Sequence, residues 1–238
     1  MQNRSILSIE HMRFRWPKAQ SPCLDIPDFK VKTGERVFLY GPSGSGKSTL
    51  LGLLGGVLTP ECGSVCVLND DLPKKQARAR DRFRVDHIGF IFQQFNLIPH
   101  LSVLDNVLLP CRFSALRRDR ATASGNSLQA EAMRLLSDLD LDRALQSRPV
   151  TELSVGQQQR VAAARALVGR PEIIIADEPT SSLDTERQED FLDLLLRECE
   201  ESQATVLFVS HDHRLATHFS REVSLTEINK AATTRGAA

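Results

Sequence analysis

Gly41-Pro42-Ser43-Gly44-Ser45-Gly46-Lys47-Ser48 lies between an apolar run, Val37-Phe38-Leu39-Tyr40, and a helical pattern, Thr49-Leu50-Leu51-Gly52-Leu53-Leu54. The glycine-rich stretch matches G-x-x-x-x-G-K-[ST]. In this motif glycines let successive backbone N–H groups turn toward a β-phosphate, while the lysine and a hydroxyl serve the γ-phosphate and Mg²⁺. Strand, phosphate loop and helix in that order are the context the motif requires. The stretch predicts an α/β fold organised around a phosphate site.

Outward from the loop, further short apolar runs at residues 65–68, 88–92, 173–176, 206–209 and 223–228 read as strands, several separated by helical stretches. That alternation predicts a core of parallel strands. Near the start, Met12, Phe14 and Trp16 alternate with Arg13 and Arg15, the two-residue period of a half-buried strand. Residues 95–169 are mainly helical and read as an inserted subdomain, with a polar break at residues 114–129 that predicts an exposed loop. The small-residue tail after Lys230 is expected to fray.

A length of 238 residues suffices for one well-cored domain carrying an inserted subdomain, with no need of disulfide staples. Thirty basic residues balance thirty acidic ones, which argues against a chain whose main task is neutralising a nucleic-acid backbone. Cys23, Cys62, Cys66, Cys111 and Cys199 are odd in number, scattered, and form no C-x-x-C or Cys/His cluster. Cys62 and Cys66, four apart on a strand, would stand roughly 13 Å apart, beyond the reach of a disulfide. All five are expected as thiols. No apolar h-region follows Met1-Gln2-Asn3-Arg4-Ser5, and the longest apolar run, residues 50–58, is far short of a bilayer span. A cytosolic chain is expected.

A second motif, Leu153-Ser154-Val155-Gly156-Gln157, has the S-x-x-Q form of a capping box, and a helix is expected to run to residue 168, closed by Gly169 and Pro171. Taken alone it is either a well-capped helix or an anion site at a helix N-terminus. After it comes Ile173-Ile174-Ile175-Ala176-Asp177-Glu178, an apolar strand ending in two carboxylates.

Together with Ser181-Ser182-Leu183-Asp184 and Ser210-His211-Asp212, these motifs resemble the nucleotide-binding domain of ABC transporters over almost the whole chain. Ile91-Phe92-Gln93-Gln94-Phe95-Asn96-Leu97-Ile98-Pro99 and Leu101-Ser102-Val103-Leu104-Asp105-Asn106-Val107 resemble the lipoprotein-releasing and macrolide-exporting (LolD/MacB-type) group, although the segment around Gln93 is shared with some amino-acid importers. The resemblance implies a P-loop NTPase (RecA-like) core with an antiparallel β subdomain and an inserted α-helical subdomain. Residues 1–94 and 158–238 would form the core with its β subdomain, and residues 95–157 the helical subdomain with the signature, in a single ATPase domain spanning 1–238.

The roles implied by the resemblance follow residue by residue. Gly41, Pro42, Ser43, Gly44, Ser45, Gly46, Lys47, Ser48 and Thr49 would hold ATP, with Lys47 on β/γ-phosphate oxygens. Ser48, Asp177 and Gln93 would hold Mg²⁺, and the following Phe95-Asn96-Leu97 favours Gln93 over Gln94 for this role. Glu178 would be the general base and His211 would hydrogen-bond the γ-phosphate. Trp16 would stack on adenine, the alternative being a core aromatic at a strand end. Gln157 and Asp184 would also bind the nucleotide, and in a head-to-tail homodimer Ser154 and Gly156 of one copy would complete the γ-phosphate site formed by Lys47 and Glu178 of the other. Val155 stands where the signature usually carries glycine, and a β-branched residue resists positive φ. Gly156 is retained, so the signature is expected to be active.

The resemblance also implies a separate integral-membrane permease, reached from the cytoplasmic face of the inner membrane. Importer ATPases and a transmembrane complex regulating cell-wall hydrolysis share the pattern. ABC ATPases of chromosomes carry long coiled-coil insertions and those of translation carry two domains, and neither feature is present, so no nucleic acid is expected as partner. The basic run Lys74, Lys75, Arg78, Arg80, Arg82, Arg84 and the arginines 112, 117, 118 and 120 are read as solvated faces.

Overall fold

In the computed structural model residues 5–231 are described, and the chain divides into two compact units, Met1–Arg84 with Leu207–Ala238, and Val85–Val206. The tail expected to fray lies, beyond Ala231, outside the described residues.

In the first unit, β1 (Ser5–Phe14), β2 (Leu24–Lys32), β4 (Cys62–Val67) and β5 (Asp70–Asp71) form an antiparallel sheet in the order β2-β1-β4-β5. Buried cross-strand pairs set the register: Leu7 faces Val31, Ile9 faces Phe29, Met12 faces Ile26 and Phe14 faces Leu24. The buried alternation changes phase at His11, where φ is +49° and β1 bulges against β4. Opposite the bulge sits Gly63, where a Cβ would come within 2.3 Å of the His11 carbonyl oxygen.

The second sheet element of this unit is β3 (Arg36–Tyr40), which runs parallel to β9 (Arg221–Ser224) with Val37 beside Arg221 and Tyr40 beside Ser224. On its other side β3 has β8 (Thr205–Val209). Val37, Phe38 and Leu39 are fully buried, as suits a strand flanked by a neighbour on each side. After β3 comes the phosphate loop and then α1 (Lys47–Leu54).

The single strand expected at residues 223–228 is corrected. β9 ends at Ser224 and α8 (Leu225–Ile228) follows, because the Asn229 side chain turns the chain back onto β2. Its Oδ1 accepts from Asp25 N at 2.8 Å and its Nδ2 donates to the Cys23 carbonyl at 3.1 Å. The basic run is also corrected in part. Its arginines lie on α2 (Ala77–His87), with Lys74 and Lys75 before the helix, and Arg80 and Arg84 donate to the carbonyls of Gly56 and Gly55 at the C-terminal end of α1, at 3.1 and 3.3 Å. Arg78 and Arg82 face solvent as expected.

In the second unit, β6 (Ile88–Ile91) runs parallel to β7 (Ile173–Asp177), with Ile88 beside Ile173 and Ile91 beside Ala176, and β8 begins beside β7 where Thr205 N donates to the Glu172 carbonyl. The remaining elements are α3 (Val103–Phe113), α4 (Ala115–Thr122), α5 (Leu128–Asp138), α6 (Val155–Leu167) and α7 (Thr185–Glu201). Asn106 on α3 is fully buried and satisfies Ile98 N together with the carbonyls of Ile98, Leu101 and Ser102, fixing the loop before its own helix.

The exposed loop expected at residues 114–129 is instead α4 and the start of α5, with a short turn between them. Ser114 is buried, accepts from Arg117 N at 3.0 Å as the N-cap of α4, and donates to Asp86 Oδ1. Arg117, read as solvated, is 1% exposed, and its Nη1 donates to the carbonyls of Ala166 and Val168 at the end of α6. Burial pulls its pKa down to about 10. Gly169 (φ +73°) allows this approach, since a Cβ there would meet the Arg117 Cβ and carbonyl oxygen at 2.5 Å.

Beside this contact, Arg120 Nη2 donates to Glu172 Oε1 at 2.6 Å and His87 Nδ1 pairs with Glu172 Oε2 at 3.1 Å. Burial opposes the Glu172 carboxylate, but the His87 and Arg120 hydrogen bonds outweigh it and bring its pKa from 4.5 to about 2. A depressed carboxyl contributes stability above pH 4.5 that is lost as pH falls through about 2. Glu172→Gln is therefore expected to cost at most ~3 kcal/mol at neutral pH and to flatten the acid limb of the stability curve. Urea titrations at pH 7 and pH 3 measure both effects, and equal losses at the two pH values would contradict the assignment.

Candidate functional site

The phosphate loop belongs to the first unit. Gly46 takes φ +104°, and a Cβ there would lie 2.8 Å from Leu24 Cδ2, so both backbone and packing require glycine. Gly46 is also the N-cap of α1 and supplies no side-chain cap, and no acidic residue stands in the first turn. The helix N-terminus is thus left to an anion. Lys47 Nζ donates to the carbonyls of Gly41 (2.7 Å) and Pro42 (3.2 Å), folding the ammonium back over the loop. Ser45 Oγ is buried with no hydrogen-bond partner among the described residues. Open N–H groups, a cation and an orphaned hydroxyl fit a phosphate chain.

Elsewhere in this unit, Trp16 lies just beyond β1, 45% exposed, with its ring edge-on to the buried Phe14 at 5.1 Å. The ring is therefore available to a ligand as well as packed on one side. His211 is exposed, one residue beyond the buried Ser210 that follows β8. Asp212 N donates to Ser210 Oγ, and the Arg214 guanidinium holds the Asp212 carboxyl below its usual range. Thr49 is buried and its Oγ1 lies 3.8 Å from Cys23 Sγ. All five cysteines are free thiols.

The carboxylates belong to the second unit. Buried Ile173, Ile174, Ile175 and Ala176 carry β7 to Asp177, its last residue, and Glu178 follows with φ +48°. A left-handed non-glycine residue is strained, and such strain concentrates where a side chain has to be aimed. Buried Gln159 on α6 donates from Nε2 to the Pro179 carbonyl at 3.0 Å. Gln188 donates to the carbonyls of Thr180 and Leu183, both at 3.1 Å, and Asp184 caps α7 by accepting from Arg187 N at 3.0 Å.

The capping box is present as expected: Gln157 N donates to Ser154 Oγ at 3.3 Å, and Ser154 N donates to Gln157 Oε1 at 2.9 Å. Val155 is the first residue of α6, where no positive φ is required, so the departure from glycine leaves the helix start intact. A Cβ on Gly156 would meet only Leu183 Cδ2, at 3.8 Å. Packing within this chain therefore gives no reason for glycine at 156, whereas close approach by a ligand does. Gln93 and Gln94 are both exposed in the turn after β6.

A profile of the ABC transporter family matches residues 24–181. The chain belongs to the ABC transporter family. The lipoprotein-releasing system ATP-binding protein LolD of Hydrogenovibrio crunogenus is 37% identical over 214 residues, 90% of each chain. An uncharacterized ABC transporter ATP-binding protein of Escherichia coli, YbbA, is 42% identical over 191 residues, 80% of each chain. A dimeric structure of the ATP-binding cassette MJ0796 in a post-hydrolysis state, bound to ADP and Pi, superposes with a TM-score of 0.78 at 34% identity, covering 92% of this chain and 93% of that one. The family, the fold and the ATPase activity read from the motifs are borne out.

In this ABC ATPase, motif reading missed the polar residues that hold the loops in place. Gln159, Arg165 and Gln188 read in sequence as ordinary helix residues. The signal that marks Arg165 is its position inside the otherwise apolar run Val161-Ala162-Ala163-Ala164-Arg165-Ala166-Leu167-Val168. Among the described residues no helix is long and apolar enough to cross a membrane.

Proposed function

We propose that this ABC ATPase powers a separate integral-membrane permease of the lipoprotein-releasing or macrolide-exporting kind, acting from the cytoplasmic face as an ATP-bound head-to-tail homodimer. The name of the Hydrogenovibrio relative and the dimeric MJ0796 cassette support this reading. The observation that carries it is the pairing of an uncapped phosphate loop at Gly46 with a capped signature helix whose Gly156 has room for a Cβ, which would meet only Leu183 Cδ2 at 3.8 Å. The first is a phosphate site, and the second is a surface that a phosphate from another copy can approach closely.

In this mechanism the N–H groups of residues 43–49 and the Lys47 ammonium bind and orient the ATP phosphates, and Trp16 stacks on the adenine. Ser48, Asp177 and Gln93 would hold Mg²⁺, which when bound neutralises developing charge on the β- and γ-phosphate oxygens. Glu178 takes the proton of the attacking water, and His211 hydrogen-bonds the γ-phosphate. Gln157 and Asp184 also bind the nucleotide, and Ser154 and Gly156 of the second copy close the site. ATP then favours the closed dimer and hydrolysis releases it, a ligand-driven population shift.

The test is a pull-down of tagged Glu178→Gln from detergent-solubilised host membranes with Mg-ATP, with co-purifying proteins identified by mass spectrometry. A few-span permease with a large extracytoplasmic domain is the expected catch. Recovery with ribosomes or nucleic acid, and no integral membrane protein, would overturn the proposal.

A further inference from the structure

Phe95 and Asn96 are consecutive non-glycine residues in left-handed backbone, with φ +58° and +49°. They close the turn that carries Gln93: Phe95 N donates to the Phe92 carbonyl at 2.9 Å and Asn96 N to the Gln94 carbonyl at 2.6 Å. Such a conformation persists only where its surroundings over-determine it. The surroundings here include one side chain, Arg165 of α6, whose Nη1 donates to the Asn96 carbonyl at 2.7 Å and whose Nη2 donates to the Phe95 carbonyl at 2.5 Å.

A planar guanidinium spans two adjacent carbonyls, which a lysine ammonium cannot do in the same fixed geometry. Desolvation pulls the Arg165 pKa down, and a cation is retained there at that cost. The same helix carries the signature at its N-terminus and, through Gln159, donates to the Pro179 carbonyl beside Glu178. Within the second unit, α6 thus holds both the Gln93 turn and the loop that follows Asp177 and Glu178.

We infer that Arg165 is a positioning residue for ATP hydrolysis: by clamping the Phe95 and Asn96 carbonyls it sets where Gln93 stands, and its helix ties that placement to the loop behind Glu178. The inference rests on the assignment of Gln93 to the Mg²⁺ and water site. It makes the turn and the signature helix one mechanical piece, so that a displacement of α6 moves Gln93.

The experiment compares kcat, KM for ATP and melting temperature for the full chain and for Arg165→Lys, Gln93→Ala and the double variant, with Arg165→Gln made in parallel in case Arg165→Lys folds poorly. Arg165→Lys keeps the charge and loses the fork, and it is expected to lower kcat on the order of 10- to 100-fold with KM little changed. In the Gln93→Ala background the same change should have no further effect on kcat, because the residue it positions is already gone. Equal fold losses in both backgrounds, or an unchanged kcat in Arg165→Lys, would overturn the inference while leaving the role of Gln93 intact. Undiminished turnover of Gln93→Ala alone would overturn the role of Gln93 and the inference with it.

Discussion

Glu178→Gln is expected to lower ATP turnover by about 10²–10⁴-fold while leaving ATP binding in place, the range for removing a general base. Amide for carboxylate keeps size and hydrogen-bonding reach but cannot accept the proton of the attacking water. The position supports this assignment on two grounds. Glu178 directly follows a strand whose first four residues are buried and which cannot shift without breaking its sheet, and its backbone is left-handed at φ +48°. The loop after it is held from α6 by Gln159, so the substitution should leave the surrounding backbone unmoved. Single-turnover hydrolysis of labelled ATP, run beside equilibrium nucleotide binding, separates the two quantities. Turnover within a few-fold of the parent chain would move the base to another residue. A parallel loss of binding would mean that the substitution disturbs the site itself.

Lys47→Ala is expected to act on binding first. Loss of a charge-assisted contact costs about 1.5–3 kcal/mol, or about 10- to 150-fold in affinity for ATP. A second effect adds to this, because Lys47 Nζ also bridges the carbonyls of Gly41 and Pro42 and so braces the loop that presents the N–H groups. Hydrolysis should fall at least as far as binding at sub-saturating ATP, since both ground state and transition state lose the cation. Titration with a fluorescent ATP analogue measures the affinity, and melting temperature without nucleotide reports the brace. Affinity unchanged within a factor of two would remove Lys47 from the phosphate site.

The two variants are therefore distinguishable by their signatures. Glu178→Gln should retain nucleotide and accumulate the ATP-bound state, which is why it serves as bait for the permease. Lys47→Ala should fail to reach that state, and its pull-down should recover correspondingly less partner.

Much of the candidate site was legible in the sequence because its parts are local. The phosphate loop needs a left-handed glycine and an uncapped helix start within a few residues, and Gly46 and Lys47 supply both. The capping box joins Ser154 to Gln157, three residues apart, and β7 is a continuous apolar run ending at Asp177. Contiguous features of this kind are set by backbone conformation and periodicity, which a chain carries without knowing its partners.

What escaped the sequence depends on partners far along the chain. Residues 114–129 looked like a loop because arginine, serine and glycine are loop residues on average, yet Arg117 is buried against carbonyls 49 and 51 residues away. Arg165 reaches a carbonyl 70 residues away. Residues 223–228 were a short apolar run, equally compatible with strand and helix, and the side chain of Asn229 bonding back to Cys23 and Asp25 decided between them. The sequence alone determined the family, the phosphate loop, the carboxylate strand end and the signature cap. Tertiary structure alone decided which polar side chains are buried to hold those pieces in place, because a buried donor is satisfied by backbone carbonyls, and a carbonyl has no sequence identity.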